Sequence, residues 1–268
     1  MRVFLITLLL LYAYACSPEP ERVPDPVGGD TGTETDPTPL RFVAYTYADS
    51  VPLRPHGPFF TYRLHTLRAE GGDTRLTRII NDTLAARLWG FVPAAGLPLD
   101  TAVEAYLAPQ FADYLDQEVQ EEWLQEAPQT LSREQDERTE VLYRTDSLLV
   151  LAHHYYEYTG GAHGMHFTEL LPFRTEPPRL LTYGDLFPPD AKSRLEQLLT
   201  ERAAREPDRT FGDSIPVTRN VAPLADGVRF LYEPYAIGPY ASGEIAIDLP
   251  YADLRELLRA GAVPGRPD

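Results

Sequence analysis

Hydrophobic and polar positions alternate in some stretches of this chain and recur at helical spacing in others. Residues 40–48 and 59–67 alternate, which is typical of half-buried strands. From Asp73 or Thr74, either of which can cap a helix, the apolar residues take a helical spacing. They are Leu76, Ile79, Ile80, Leu84 and Leu88. The pattern therefore predicts two strands followed by a helix.

Two shorter helices are predicted before residue 127. Thr101 and Glu104 have the spacing of a capping box, which would open a helix that ends at Leu107. Pro109 is expected to interrupt it and to begin a second helix. One face of the second helix would carry Phe111, Tyr114, Leu115, Val119 and Trp123. Its flanking acidic residues indicate a solvated face and not a metal site.

From residue 137 the spacing returns to two. Residues 140–143, a turn at 144–147 and residues 148–158 predict a hairpin. The second strand is apolar on both faces at its start, so we expect it to be central and covered by a helix. Further strands are predicted at 167–173, 228–233 and 244–249, and helices around Leu195, Leu198 and Leu199 and over 251–259.

Strands and helices follow one another without regular βαβ alternation. This order predicts an α+β fold with a mainly antiparallel sheet packed with helices. We expect two sequential α/β subdomains that share a core, residues 40–130 and residues 131–262.

The N-terminus has the pattern of an export signal. A positive start at Arg2 precedes twelve apolar residues, too few to span a membrane. Ala13 and Ala15 then stand before Cys16, the only cysteine. We predict a lipoprotein signal peptide, residues 1–15, and acylation of Cys16. The alternative is an ordinary signal peptide that ends at Ala15.

The segment 16–39 is acidic and rich in proline, with almost no apolar residues. It is predicted to be a disordered tether, because it cannot bury enough surface to order itself. Glu19 and Glu21 could alternatively act as a sorting signal. The protein is expected to be exported and anchored to the bacterial cell envelope, at the periplasmic or surface face of the outer membrane.

The overall charge excludes one class of partner. The chain has 24 Lys and Arg against 40 Asp and Glu, a formal net charge of −16. This field repels phosphate backbones, so nucleic-acid binding is not expected.

A glycine-rich turn follows the central predicted strand. Gly160 and Gly161 permit positive φ and close approach of another backbone. The turn is interpreted either as an anion nest or as a tight crossover beneath a neighbouring loop. His163 is expected to bond backbone carbonyls and His154 a neighbouring side chain. The histidine spacing matches no recognised zinc pattern, so no metal and no cofactor are predicted.

The loop between the last two predicted strands is rich in tyrosine and proline. Tyr235, Pro239 and Tyr240 lie within it, and Tyr232 and Tyr251 bracket it. Tyrosine offers a large contact area at low entropic cost together with a polar tip, which suits recognition of a protein or a sugar. We expect Tyr235 and Tyr240 to be exposed.

Nucleophilic catalysis lacks a motif here, since no G-x-S-x-G sequence occurs. A glycosidase that uses two carboxylates remains an alternative. The enzymatic alternative is a cell-wall hydrolase that uses His163 with a carboxylate such as Asp185, or a deacetylase-associated enzyme.

Three ordered motifs resemble a known family. They are 158–164 (Tyr-Thr-Gly-Gly-Ala-His-Gly), 185–187 (Asp-Leu-Phe), and 235–243 followed by 247–251. These motifs are similar to domain of unknown function 3298, found in RsiV-type anti-sigma-factor ectodomains and in some peptidoglycan deacetylases. The resemblance covers about residues 137–258. Residues 40–127 resemble the 4163-like companion domain that usually precedes it.

The resemblance implies an extracytoplasmic α+β module that recognises a ligand. In the anti-sigma members that ligand is lysozyme, and loops near the tyrosine-rich segment take part. No sigma-binding segment is recognised, so the signalling role is not expected here. The expectation is a lipid-anchored, non-enzymatic module that binds lysozyme or cell-wall glycan. Its ligand-binding residues would be Tyr158, Gly160, Gly161, His163, Tyr235, Pro239 and Tyr240.

Overall fold

The computed structural model describes residues 38–212 and 214–265. The predicted signal peptide, Cys16 and the tether up to residue 37 lie outside the described residues. Every described residue belongs to one compact unit.

Strands and helices within the described residues follow the predicted mixed order. The strands are β1 (Arg41–Pro52), β2 (Phe59–Glu70), β3 (Arg133–Arg144), β4 (Leu148–Tyr158), β5 (Met165–Arg174), β6 (Arg179–Leu180), β7 (Val221–Pro223), β8 (Gly227–Tyr232) and β9 (Ile245–Pro250). The helices are α1 (Thr74–Trp89), α2 (Leu99–Leu115), α3 (Glu121–Glu126), α4 (Tyr183–Leu186), α5 (Lys192–Ala203) and α6 (Tyr251–Leu254).

The strands form two sheets. One has six strands in the order β1-β2-β3-β4-β5-β6, and the other has the order β7-β8-β9. β2 and β3 pair in parallel, which requires a crossover, and α1, α2 and α3 supply it. The other neighbouring strands are antiparallel. The α+β class with a mainly antiparallel sheet is confirmed. The larger sheet contains strands from both sides of residue 130, the predicted boundary between the subdomains, because β2 and β3 are neighbours in it.

The two faces of β4 pack against different layers. Leu149 and Leu151 meet a cluster from α1, and Leu148 and Val150 meet a cluster that includes residues of the smaller sheet. The prediction that this strand is central and covered by a helix is confirmed. The smaller sheet lies against β4 and β5, and the loop from β8 to β9 reaches the start of β5.

The prediction that Pro109 interrupts a helix is wrong. α2 begins at Leu99, without a side-chain cap from Thr101, and continues through Pro109 to Leu115. Buried residues occur on both sides of the proline, among them Leu107 and Tyr114. Packing of this continuous face outweighs the one hydrogen bond that a proline removes. Val119 and Trp123 consequently follow α2 and are not part of it.

The closing helix is shorter than predicted. α6 ends at Leu254, and the chain then turns so that the amide of Arg259 donates to the carbonyl of Leu186. The amides of Leu257 and Leu258 still donate to the carbonyl of Leu254, and the contact of Arg259 with α4 follows this last turn.

A polar cluster lies within the core on the helix-covered face of the larger sheet. Glu137 and His153 are 1% and 3% exposed, and Nε2 of His153 lies 3.3 Å from Oε2 of Glu137. The other carboxylate oxygen accepts from Gln135 Nε2 at 2.7 Å and from Tyr62 Oη at 3.3 Å. Nδ1 of His153 lies 3.2 Å from Thr139 Oγ1. Burial, together with the charge of Glu137, raises the pKa of Tyr62 above its ordinary value.

Candidate functional site

The glycine turn between β4 and β5 passes tightly against a neighbouring segment. Gly160 and Gly161 have φ values of +92° and +108°. A Cβ at Gly160 would lie 2.1 Å from the carbonyl oxygen of Thr130, whereas one at Gly161 would meet nothing within 4 Å. The close backbone approach expected from the sequence is therefore found at Gly160. At Gly161, glycine is favoured only by the positive φ and not by a close neighbour.

Side chains on both sides of the turn hold its backbone. Tyr158 Oη donates to the carbonyl of Gly161 at 3.0 Å. Nδ1 of His163 lies 3.0 Å from the carbonyl oxygen of Gly164, so Nδ1 carries the proton and donates it. This is the backbone contact predicted for His163. A Cβ at Gly164 would lie 2.5 Å from the ring of Tyr156, which packs beneath the turn.

The loop between β8 and β9 brings two tyrosines to this turn. Tyr235 has a φ of +71°, a conformation that non-glycine residues adopt rarely and at a cost. Nearby, the amide of Ala236 donates to the carbonyl of Glu233 at 3.1 Å. Tyr240 Oη donates to the carbonyl of Gly164 at 2.6 Å. The loop is thereby bound to the glycine turn beside the start of β5.

His163, Tyr235 and Tyr240 form one aromatic cluster. The rings of His163 and Tyr240 are stacked, with centroids 3.9 Å apart and planes 23° apart. The centroids of Tyr235 and Tyr240 are 5.5 Å apart, and Tyr235 Oη lies 3.5 Å from Nε2 of His163. His163 is exposed, Tyr235 is 52% exposed and Tyr240 is half-buried. The expected exposure is therefore found for Tyr235 and only in part for Tyr240, and the cluster presents aromatic surface to solvent mainly from His163 and Tyr235.

The other predicted site residues support this cluster or flank it. Tyr158, Gly160 and Gly161 shape the turn behind His163. Pro239 is exposed, and its carbonyl accepts the amide of Ser242 at 2.9 Å. Cys16, the predicted lipidation site, lies outside the described residues. Tyr232 and Tyr251, which bracket the loop, are buried.

Sequence reasoning did not assign His166 and Tyr156 to the site. The ring of His166 stands edge-on to Tyr240, with centroids 6.1 Å apart. Tyr156 is the register partner of His166 across β4 and β5. The alternation of the two strands could have indicated this contact, because residues directly opposite each other in neighbouring strands lie on the same face of the sheet.

A chain of polar contacts runs from β3 to the β8–β9 loop near the cluster. His154 Nδ1 lies 2.8 Å from Thr168 Oγ1, and that hydroxyl donates to Oε2 of Glu244 at 2.8 Å. His154 Nε2 lies 3.4 Å from Oε1 of Glu140. His154 thus contacts neighbouring side chains, as expected. Within residues 38–212 and 214–265, no group of three or more His, Cys, Asp or Glu could hold a metal ion.

Asp185 is engaged at the start of α4. The amide and hydroxyl of Thr182 donate to its Oδ2 at 2.8 and 2.7 Å, and Arg179 pairs with its Oδ1. Burial opposes ionisation of this carboxyl, but the hydrogen bonds from Thr182 and Arg179 outweigh it. They hold the pKa of Asp185 below its ordinary value. His163 has its contacts with Gly164, Tyr235 and Tyr240 instead.

The lowered pKa of Asp185 predicts a pH-dependent effect of Asp185→Asn. A carboxyl with a lowered folded-state pKa adds stability above its unfolded pKa of about 3.9, and that stability disappears as the pH falls through the folded pKa. We expect the substitution to cost about 1 kcal/mol near pH 7, and progressively less as the pH falls from about 4 to about 2. Urea unfolding of both proteins across this range measures the difference. A difference that is the same at both pH values would contradict the assignment.

The comparisons with known proteins concern the C-terminal part of the sequence and the fold. Residues 184–252 match the family described as "Protein of unknown function (DUF3298)". This range contains Asp185 and the loop with Tyr235 and Tyr240, whereas the glycine turn precedes it. No curated protein matches the sequence. No helix among the described residues is both long and apolar enough to cross a membrane.

Two solved structures are similar in fold. A member of the DUF3298 family from Bacteroides fragilis aligns with a TM-score of 0.69 and 24% identity, over 82% of this chain and 94% of that chain. A DUF3298 family protein from Pseudomonas aeruginosa aligns with a TM-score of 0.62 and 20% identity, over 85% and 99%. At these identities the likeness establishes the shared fold.

Proposed function

We propose that this protein is a lipid-anchored, extracytoplasmic binding module of the bacterial cell envelope, and that the aromatic cluster is its ligand surface. We further propose that it is related to the RsiV-type anti-sigma-factor ectodomains, with residues 40–130 as the companion half. The ligand would be lysozyme or a cell-wall glycan, and the anchor would be Cys16.

The aromatic cluster is the observation that carries this proposal. Its three rings come from two segments about 70 residues apart in sequence, and hydrogen bonds to Gly164 fix two of them before any ligand arrives. Preorganised rings lose little entropy on binding, and exposed tyrosines offer an apolar face with a polar tip. The positive φ of Tyr235 is unfavourable, and the ring is 52% exposed, so packing in the core does not compensate for that cost. We take the strained conformation to serve the display of this ring to a ligand.

Both proposed ligands suit this surface. The faces of sugar rings pack on aromatic rings while their hydroxyls bond polar tips. A basic protein such as lysozyme would be attracted by the net charge of −16, and its arginine side chains could stack on tyrosine rings. Among the described residues, His163 contacts Tyr235 and Tyr240 whereas Asp185 contacts Thr182 and Arg179, and this geometry supports binding better than a hydrolase that pairs His163 with Asp185.

Removal of the exposed ring of Tyr235 together with the half-buried ring of Tyr240 is expected to weaken binding strongly. For Tyr235→Ala combined with Tyr240→Ala, we expect the Kd for the ligand to rise at least about 30-fold, because a central aromatic anchor contributes about 2 kcal/mol or more. Titration calorimetry with c-type lysozyme and with soluble peptidoglycan fragments measures this change.

Phe91→Ala is the matched control, since Phe91 is a partly exposed ring in the segment after α1. It should leave the Kd unchanged. Far-ultraviolet circular dichroism should show that all variants are folded. Unchanged affinity in the double variant would refute the assigned surface for any ligand that the unaltered protein binds.

A further inference from the structure

A groove of about 540 Å³ lies between α1, the end of β2 and the segment that links α1 to α2. No member of the aromatic cluster lines it. Its volume falls in the range of small-molecule sites, about 300–1,000 Å³. The groove is therefore a separate candidate site that nothing in the proposed function uses.

The groove has an apolar wall that is only partly covered. Leu84 and Leu88 contribute from α1 and are buried. Val92 and Leu97 contribute from the linking segment and are 51% and 39% exposed. Exposed aliphatic side chains beside a concave surface favour an aliphatic ligand, because burial of methylene groups against them removes apolar area from water.

The rim carries two arginines without a described acidic partner. Arg68 and Arg78 both line the groove and are exposed, and neither makes an ion pair or hydrogen bond with a described residue. Arg87, on the same helix, is by contrast paired with Glu169 at 2.7 Å. Asp82 also lines the groove, which leaves one net positive charge. In a chain with a net charge of −16, this local excess favours an anionic head group.

We propose that the groove binds an aliphatic monocarboxylate, a ligand of the fatty-acid type. Its chain lies along Leu84, Leu88, Val92 and Leu97, and its carboxylate pairs with Arg78 and Arg68. A guanidinium suits this role because its planar fork matches a carboxylate. This site is independent of the aromatic cluster, so either can fail without the other.

Titration of the purified protein with dodecanoate and octanoate, both below their micelle concentrations, tests the proposal. Dodecanoate should bind one to one. A fully buried methylene strengthens binding about fourfold, so the four extra methylenes should tighten binding at least tenfold even where burial is partial. Dodecyltrimethylammonium, which has the same chain and the opposite charge, should bind at least tenfold more weakly than dodecanoate.

Arg78→Glu and Arg75→Glu form a matched pair. Both positions are exposed on α1, but only Arg78 lines the groove. Arg78→Glu should weaken dodecanoate binding at least fivefold, and Arg75→Glu less than twofold. Val92→Ser with Leu97→Ser should weaken it at least tenfold, and both are exposed, so folding should persist. The proposal is overturned if dodecanoate does not bind, if the cationic amphiphile binds as tightly, or if both arginine variants have equal effects.

Discussion

Replacement of His153 by alanine is expected to lower the free energy of unfolding by about 3–5 kcal/mol, because it leaves one oxygen of a buried carboxyl group without a partner. Glu137 is 1% exposed, and His153 is the residue that contacts its Oε2. Water has little access to replace that contact. The remaining donors, Gln135 and Tyr62, both reach the other oxygen.

Urea unfolding of His153→Ala, Glu137→Leu and the double variant measures this coupling. The double variant should be more stable than the sum of the single effects predicts, since it removes the buried carboxyl group of Glu137 together with the imidazole that contacts it. Additive effects would contradict a coupled pair. A loss below about 1 kcal/mol for His153→Ala would show that the buried carboxylate does not depend on this imidazole.

Gly160→Ala is expected to cost about 3 kcal/mol of unfolding free energy and to displace the glycine turn. The new Cβ would lie 2.1 Å from the carbonyl oxygen of Thr130, and the φ of +92° is unfavourable for any side chain. Because the turn holds His163 against Tyr240, the displacement should also weaken ligand binding at the aromatic cluster.

Gly161→Ala provides the control for backbone strain. It has a φ of +108° but open space around the new Cβ, so we expect a loss of about 1 kcal/mol and retained binding. Urea unfolding and ligand titration of both variants separate the clash from the strain. Equal losses at the two glycines would contradict a specific contact between Gly160 and Thr130.

Local patterns predicted the elements of the fold well. The apolar start of β4 on both faces indicated a central strand, and the structure covers one face with α1 and the other with the smaller sheet. The proline rule failed at Pro109, because Leu107 and Tyr114 pack on either side of it. Burial in the tertiary structure keeps α2 continuous through Pro109, and the local sequence does not indicate that burial.

The candidate site depended on contacts that a sequence does not display. The glycines near 160 and the tyrosines near 240 each stood out by composition, but only the packing of the smaller sheet on β4 and β5 brings Tyr240 to Gly164. The buried pair of Glu137 and His153 was missed for a related reason. Glu137 lies between polar residues in β3 and polar residues follow His153 in β4, whereas their burial follows from the helices that cover this face of the sheet.

Calorimetric titration of the purified protein with c-type lysozyme at low and high salt tests the central claim most directly. A surface of preorganised rings predicts tight one-to-one binding that persists at high salt, because stacking and buried apolar contacts are screened little. Binding that is weak and disappears at high salt would be charge attraction alone. That result would contradict a lysozyme-binding role for the aromatic cluster and leave cell-wall glycan as the ligand to test.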